Sequence, residues 1–178
     1  ACLASHYNIH EEEMLITRGS SEAIDVLIRA FCTAGKDSIV ISPPTFDMYR
    51  LYAEIQNVKV IEIPLLRNES LSADFTLDTQ KVINQINAGT KIVFICSPNN
   101  PTGGSTARKD IVKVCNAARG RALVVLDEAY QEFSAQEELR SLQEINDHVV
   151  SLRTLSKFVS LAGVRCGAVI GAKKLISF

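Results

Sequence analysis

Short runs of Val, Ile and Leu alternate along this chain with stretches whose apolar residues recur at helical spacing. That alternation restricts the fold more than any other feature. The runs Met14–Thr17, Ser38–Ile41, Val58–Ile63, Lys91–Cys96, Ala122–Leu126, Val149–Leu152 and Cys166–Ile170 read as strands. Several are nearly continuous in apolar residues, as strands of a parallel sheet covered on both faces must be. Between them, Ala23, Ile24, Leu27, Ile28 and Phe31 share one face of a helix expected over Ser21–Thr33. Gly19 or Ser20 suits its start, Glu22 and Asp25 suit its positive end, and Gly35 suits its stop. Phe46–Ile55, Asp78–Asn87, Ala107–Arg119 and Glu138–Asn146 carry similar helical patterns. The expected fold is α/β: three layers, α/β/α, around a mainly parallel seven-stranded sheet in a single domain.

The polar and glycine-rich sequences all follow the C-terminal ends of strands. Gly19-Ser20-Ser21 follows the first strand and Pro43-Pro44-Thr45-Phe46 the second. Ser97-Pro98-Asn99-Asn100-Pro101-Thr102-Gly103-Gly104 follows the fourth, Asp127-Glu128-Ala129-Tyr130 the fifth and Arg153-Thr154-Leu155-Ser156-Lys157 the sixth. Ligands of open α/β sheets bind at that edge, so these loops are expected to surround one site.

Composition narrows the class of ligand. A net charge of -1 gives no electrostatic case for nucleic acid or an anionic membrane. No apolar run is long enough to span a bilayer, and no signal peptide opens the chain. The five cysteines are widely spaced without a CxxC pair, which suggests neither a zinc site nor a disulfide framework. Most fall within apolar runs and read as small core residues of a cytoplasmic protein. The chain opens at Ala1 without Met and stops at Ile176-Ser177-Phe178 within a helical pattern, so it reads as a piece of a longer protein.

Chemistry concentrates at two residues. Asp127 ends the apolar run Ala122–Leu126, where an unpaired carboxylate would cost several kcal/mol. It fits a cap or an ion pair with Arg153 or Arg18 as well as it fits a carboxylate facing the protonated ring nitrogen of a cofactor. Lys157, taken alone, is an ordinary surface charge. Flanked by Thr154 and Ser156 and followed by Phe158-Val159-Ser160-Leu161-Ala162, it also fits an amine partly withdrawn from water. Such an amine can condense with an aldehyde and carry a proton. Around them, the helix start at Ser20 and Ser21, the hydroxyls of Thr154 and Ser156, and Arg165 could hold a phosphate. Asn100 and Tyr130 could bond a phenolic oxygen, and Phe46 could stack on a ring or serve as a core aromatic.

Together these motifs resemble the fold-type I pyridoxal-phosphate (PLP) aminotransferases, most of all the histidinol-phosphate aminotransferase family. The resemblance rests on TRGSSEAID (17–25), PPTFDMY (43–49), CSPNNPTG (96–103), LDEAY (126–130), RTLSKF (153–158) and LAGVRCG (161–167), in family order. It implies pyridoxal 5'-phosphate as cofactor, with catalytic roles for Lys157, Asp127 and Tyr130. Lys157 would carry the cofactor and move the proton, and Asp127 would pair with the ring nitrogen. Asn100 and Tyr130 would bond the ring's 3-oxygen, and Phe46 would stack where relatives often have Tyr. Ser20, Ser21, Thr154, Ser156 and Arg165 would hold the phosphate, although relatives often carry an acidic residue at the position of Ser21. The implied reaction is amino transfer between histidinol phosphate and 2-oxoglutarate, in a cytoplasmic homodimer when full length. Residues 1–178 would be the cofactor-binding large domain, without the substrate-carboxylate arginine or an N-terminal tyrosine that reaches the partner's cofactor. Such a piece is expected to be nearly inactive alone and to expose apolar surface.

Other functions share part of this pattern. A decarboxylase acting on phosphothreonine, or an aromatic aminotransferase, would keep Lys157 and Asp127 and differ in the substrate domain. A PLP-sensing regulatory domain fused to a DNA-binding domain gains no support from the near-neutral charge. A Rossmann dehydrogenase is disfavoured, because no GxGxxG opens the first helix.

Overall fold

The computed structural model describes residues 2–68, 74–134 and 146–177. Its strands are β1 (Met14–Thr17), β2 (Ser38–Ile41), β3 (Lys59–Glu62), β4 (Leu66–Asn68), β5 (Asp74–Thr76), β6 (Thr90–Cys96), β7 (Leu123–Asp127), β8 (Val149–Thr154) and β9 (Gly167–Gly171). Its α-helices are α1 (Cys2–His6), α2 (Gly19–Phe31), α3 (Met48–Ile55), α4 (Thr79–Asn84), α5 (Arg108–Ala118) and α6 (Lys173–Ile176). The helix expected over Glu138–Asn146 lies, but for its last position, outside the described residues.

Seven strands form one sheet in the order β1-β9-β8-β7-β6-β2-β3, and β9 alone runs antiparallel to its neighbours. The remaining pair, β4 and β5, forms a separate antiparallel hairpin that the sequence pattern did not announce. Chain order runs outward from β6 in both directions, to β7 and β8 on one side and to β2 and β3 on the other. That reversal opens a crevice beyond the strand ends. Among the described residues, no helix is long and apolar enough to cross a membrane.

Side-chain alternation divides the core into two layers. Ile39, Ile41, Ile92, Phe94, Leu123 and Val125 pack with α2 and α3 on one face of the sheet. Val40, Val93, Ile95, Val124 and Leu126 pack with α4 and α5 on the other. The inner strands β2, β6, β7, β8 and β9 are buried along nearly their whole length, whereas β1 and β3 at the edges are partly exposed.

The first long helix departs from its expected bounds at both ends. It starts at Gly19, because the Glu22 carboxylate accepts the Arg18 backbone N–H at 2.6 Å and so caps the turn before Ser20. It stops at Phe31, where Cys32 turns to extended backbone. Gly35 therefore lies beyond the helix, in the turn before β2, at φ +70°.

Candidate functional site

Every parallel strand delivers its following loop to one edge of the sheet. Strand β9 starts at that same edge, because Gly167 pairs with Thr17 of β1 and with Thr154 of β8. Arg165 is thereby brought beside the start of α2. Gly167 has no room for a side chain: a Cβ there would lie 2.7 Å from the Gly19 backbone and 2.9 Å from the Arg153 carbonyl.

Ser20, Phe46, Asn100, Asp127, Tyr130 and Lys157 line one cleft at this edge, together with Cys96 and Ala129. A larger open cleft adjoins it and shares Asn100 and Tyr130. Ser21 lies one residue further into α2 and outside the first cleft.

Asp127 forms the buried end of the cleft and is 2% exposed. It is the last residue of β7, and alternation turns it to the same face as Leu123 and Val125, toward α3. There the Tyr49 hydroxyl donates to Oδ2 at 2.6 Å, and the Ala129 backbone N–H donates to Oδ1 at 3.1 Å. Burial raises the pKa of Asp127, opposed by these two hydrogen bonds and by the positive charge of Lys157. The arginines weighed as partners are engaged elsewhere. Arg18 pairs with Glu22, and Arg153 pairs with Glu128 and Glu132 beneath the Tyr7 ring. Burial pushes the neighbouring Cys96 thiol up to about 12, with Asp127 adding to the effect, so it stays neutral.

Lys157 differs from its expectation. The residue is exposed, with Nζ 5.2 Å from the centroid of the Tyr130 ring. The apolar stretch that follows it is exposed as well: Phe158, Val159 and Leu161 lie on the surface, as does Val164 beyond it. The segment after β8 is built of turns and a short 3-10 helix rather than a packed helix, so it extends over the surface and not into the core.

The corner expected to take a phosphate is formed by three elements. The Arg165 guanidinium donates to the Arg18 carbonyl at 3.2 Å, and a Cβ on Gly19 would stand 2.8 Å from its Nη2. Glycine at φ +75° therefore does two things here: it permits the backbone turn into α2, and it leaves space for the cation. Thr154 Oγ1 and Ser156 Oγ lie 3.0 Å apart, and the Ser156 N–H donates to Thr154 Oγ1 at 3.2 Å. The sequence reading assigned no function to two residues that organise the site. One is Tyr49. The other is Asn99, whose side chain joins the two proline-rich loops. It donates to the Pro44 carbonyl and to Thr102 Oγ1, each at 2.9 Å, and accepts from Thr45 Oγ1 at 3.0 Å. Asn99 thereby fixes the loop that carries Asn100.

The chain matches the family model "Aminotransferase class I and II" over residues 1–178. It is 41% identical over 174 residues to the histidinol-phosphate aminotransferase of Buchnera aphidicola subsp. Diuraphis noxia, covering 98% of this chain and 46% of that protein. The chain thus spans about half the length of the curated relatives it matches. A crystal structure from Erwinia carotovora atroseptica SCRI1043, provisionally named histidinol-phosphate aminotransferase, superposes with a TM-score of 0.87 at 26% identity, over 99% of this chain and 51% of that one. Cystalysin from Treponema denticola, solved with a pyridoxal 5'-phosphate cofactor, superposes with a TM-score of 0.85 at 22% identity, over 94% of this chain and 43% of that one. That second likeness is one of fold.

Proposed function

The chain belongs to the class I and II aminotransferases, and from that membership we propose that it is the cofactor-binding large domain of a PLP-dependent histidinol-phosphate aminotransferase. The full-length protein would transfer the amino group of histidinol phosphate to 2-oxoglutarate in histidine biosynthesis. One observation carries this reading: a buried carboxylate, Asp127, and a primary amine, Lys157, line the same cleft, with Phe46, Asn100 and Tyr130 between them.

The residues present fit the cofactor group by group. A carboxylate at the buried end suits a cationic ring nitrogen, and a free amine at the mouth suits an aldehyde. Phe46 and Ala129, both lining the cleft, supply surfaces for the two faces of a ring. Asn100 and Tyr130 supply polar groups for its phenolic oxygen. The uncovered N–H groups at Gly19, Ser20 and Ser21, the Thr154 and Ser156 hydroxyls, and the Arg165 cation suit a phosphate. The space left at Gly19 is the structural sign of this fit, because any side chain there would displace the guanidinium.

When bound, PLP supplies an electron sink that stabilises negative charge at the amino donor's Cα. The protein's own tasks are then distinct. Asp127 holds the proton on the ring nitrogen, and Asn100 and Tyr130 fix the ring's in-plane orientation. Phe46 keeps a π-face but offers no hydroxyl, so it binds the ring without a hydrogen bond. The Lys157 amine, once displaced from the cofactor's aldehyde carbon, would take the proton from the donor's Cα as a base and deliver it as an acid to that aldehyde carbon. Its exposure supports a division of labour, with the remainder of the full-length protein excluding water from this end. The exposed side chains Phe133, Phe158 and Val164 support burial there against that remainder or a second subunit. The working form would then be a homodimer, and the five free thiols suit a cytoplasmic setting.

The test is an assay of the full-length protein with PLP, measuring amino transfer from histidinol phosphate to 2-oxoglutarate against carbon dioxide release from phosphothreonine. Amino transfer is expected. Decarboxylation alone, or neither reaction, would overturn the reading.

A further inference from the structure

Tyr49 is a buried polar side chain that the roles above leave unused. Tyr49, on α3, is fully buried, yet its hydroxyl reaches across to Asp127 Oδ2 at 2.6 Å. Its ring is held from two sides. It stacks on Phe94 of β6, with centroids 4.6 Å apart at 15°, and meets Phe46 edge-on at 5.7 Å and 85°. A ring clamped in this way holds its hydroxyl oxygen in place beside the carboxylate. Phe46 lines the cleft, so the same ring supports both a ring-facing aromatic and the buried carboxylate.

We propose that Tyr49 is the positioning residue of Asp127: a fixed donor that keeps the carboxylate ionised and turned to the cleft, and so keeps the shared proton on the cofactor ring. The inference rests on the cofactor reading given above. Burial alone drives Asp127 toward its neutral form. A hydrogen bond from Tyr49 strengthens only the ionised form, because a carboxylate accepts far better than a neutral acid. Tyr49 cannot give up its own proton in exchange, since burial and the adjacent Asp127 hold its pKa well above the usual tyrosine range. The other groups facing this carboxylate fit the same assignment. The Ala129 N–H donates to Oδ1, the Cys96 thiol is neutral, and Lys157 adds a positive charge. Each carboxylate oxygen thus takes one donor from the protein and keeps a further acceptor site. If Tyr49 lost its hydroxyl, the shared proton would shift toward Asp127 and away from the ring.

The experiment places PLP labelled with nitrogen-15 in the ring on the full-length protein and reads that nitrogen's NMR shift at one pH. The unsubstituted protein should give a pyridinium signal. Tyr49→Phe should lower the ratio of ring-protonated to neutral forms about tenfold, the worth of one hydrogen bond to a charged group. Phe94→Leu, which removes packing but keeps the hydroxyl, should leave the ratio unchanged. An unchanged shift in Tyr49→Phe, or equal shifts in both variants, would overturn the proposal in favour of plain packing. A second measurement needs no variant. The Cζ signal of carbon-13-labelled Tyr49 should move on binding PLP, and move less with an analogue that has CH in place of the ring nitrogen. An equal response to both ligands would also overturn it. If the unsubstituted protein binds no PLP, the cofactor reading itself fails, which is a different result from failure of the role of Tyr49.

Discussion

The two ends of the cleft are built in opposite ways. At the Asp127 end both hydrogen-bond donors belong to the core: the clamped ring of Tyr49 and the backbone of Ala129. At the Lys157 end the lysine and the apolar side chains after it are exposed. A buried charge has to be fixed by the domain that buries it, because a loosely held partner would leave it unpaired. A reactive amine needs freedom to leave its resting position, and here its surroundings are left open. On the proposed reading, the chain completes the electrostatic half of the site internally and leaves the reactive half to be enclosed.

This contrast predicts that variants at the two ends separate activity from stability. The largest effect is expected for Lys157→Ala. Amino transfer by the full-length protein should fall on the order of 10,000-fold, while unfolding free energy stays within about 0.5 kcal/mol, as for an exposed side chain. A matching loss of stability would show that the amine is structural. Asp127→Ala comes next, with turnover down on the order of 100- to 1,000-fold. Unlike the lysine variant, it should also destabilise the fold by about 1–3 kcal/mol, because the Tyr49 hydroxyl loses its buried acceptor. Turnover that survived this change would remove the carboxylate from the mechanism.

Smaller effects sharpen the same division. Gly167→Ala puts a methyl group 2.7 Å from the Gly19 backbone, so β9 or α2 must shift. A loss of about 1–3 kcal/mol in denaturant unfolding is expected, together with weaker phosphate binding as the Gly19–Arg165 corner opens. The pH dependence of stability isolates Asp127. Its native pKa is raised by burial above the usual 3.8, so the unfolded chain releases this proton first as pH rises. In the cofactor-free protein its contribution is complete below 3.8 and is lost as pH rises through the raised native value. Asp127→Asn should remove that decline from a plot of unfolding free energy against pH, and an unchanged slope would assign it elsewhere. The smallest effect is expected for Phe158→Ser, which should leave the thermal midpoint of this chain unmoved, because Phe158 is 59% exposed. In the full-length protein the same substitution should lower stability if the rim is covered.

The sequence was most legible where burial leaves one solution. Met14–Thr17 and Ser38–Ile41 form strands with those bounds, and the apolar runs ending at Cys96 and Asp127 lie in the sheet interior. The hairpin of Leu66–Asn68 with Asp74–Thr76 was not legible, because its strands are short and carry no sustained alternation. The site shows the same divide. The loops that share an edge follow from strand direction alone. The partner of Asp127 does not: Tyr49 is 78 positions away, and its approach depends on which strands neighbour each other and which face α3 covers. Alternation along β7 assigns Asp127 the same face as Val125, but nothing local identifies the helix on that face. The exposure of Lys157 is not legible for a related reason. Apolar residues after a polar one suggest burial, yet Phe158, Val159 and Leu161 find nothing within this chain to bury them.

The central claim is that Lys157 holds the cofactor. Its most direct test is to reduce the full-length protein with borohydride in the presence of PLP, follow the visible absorbance, and map the modified peptide. The account predicts loss of the cofactor's absorbance band and a single reduced adduct on Lys157. An adduct on any other lysine, or none at all, would contradict it.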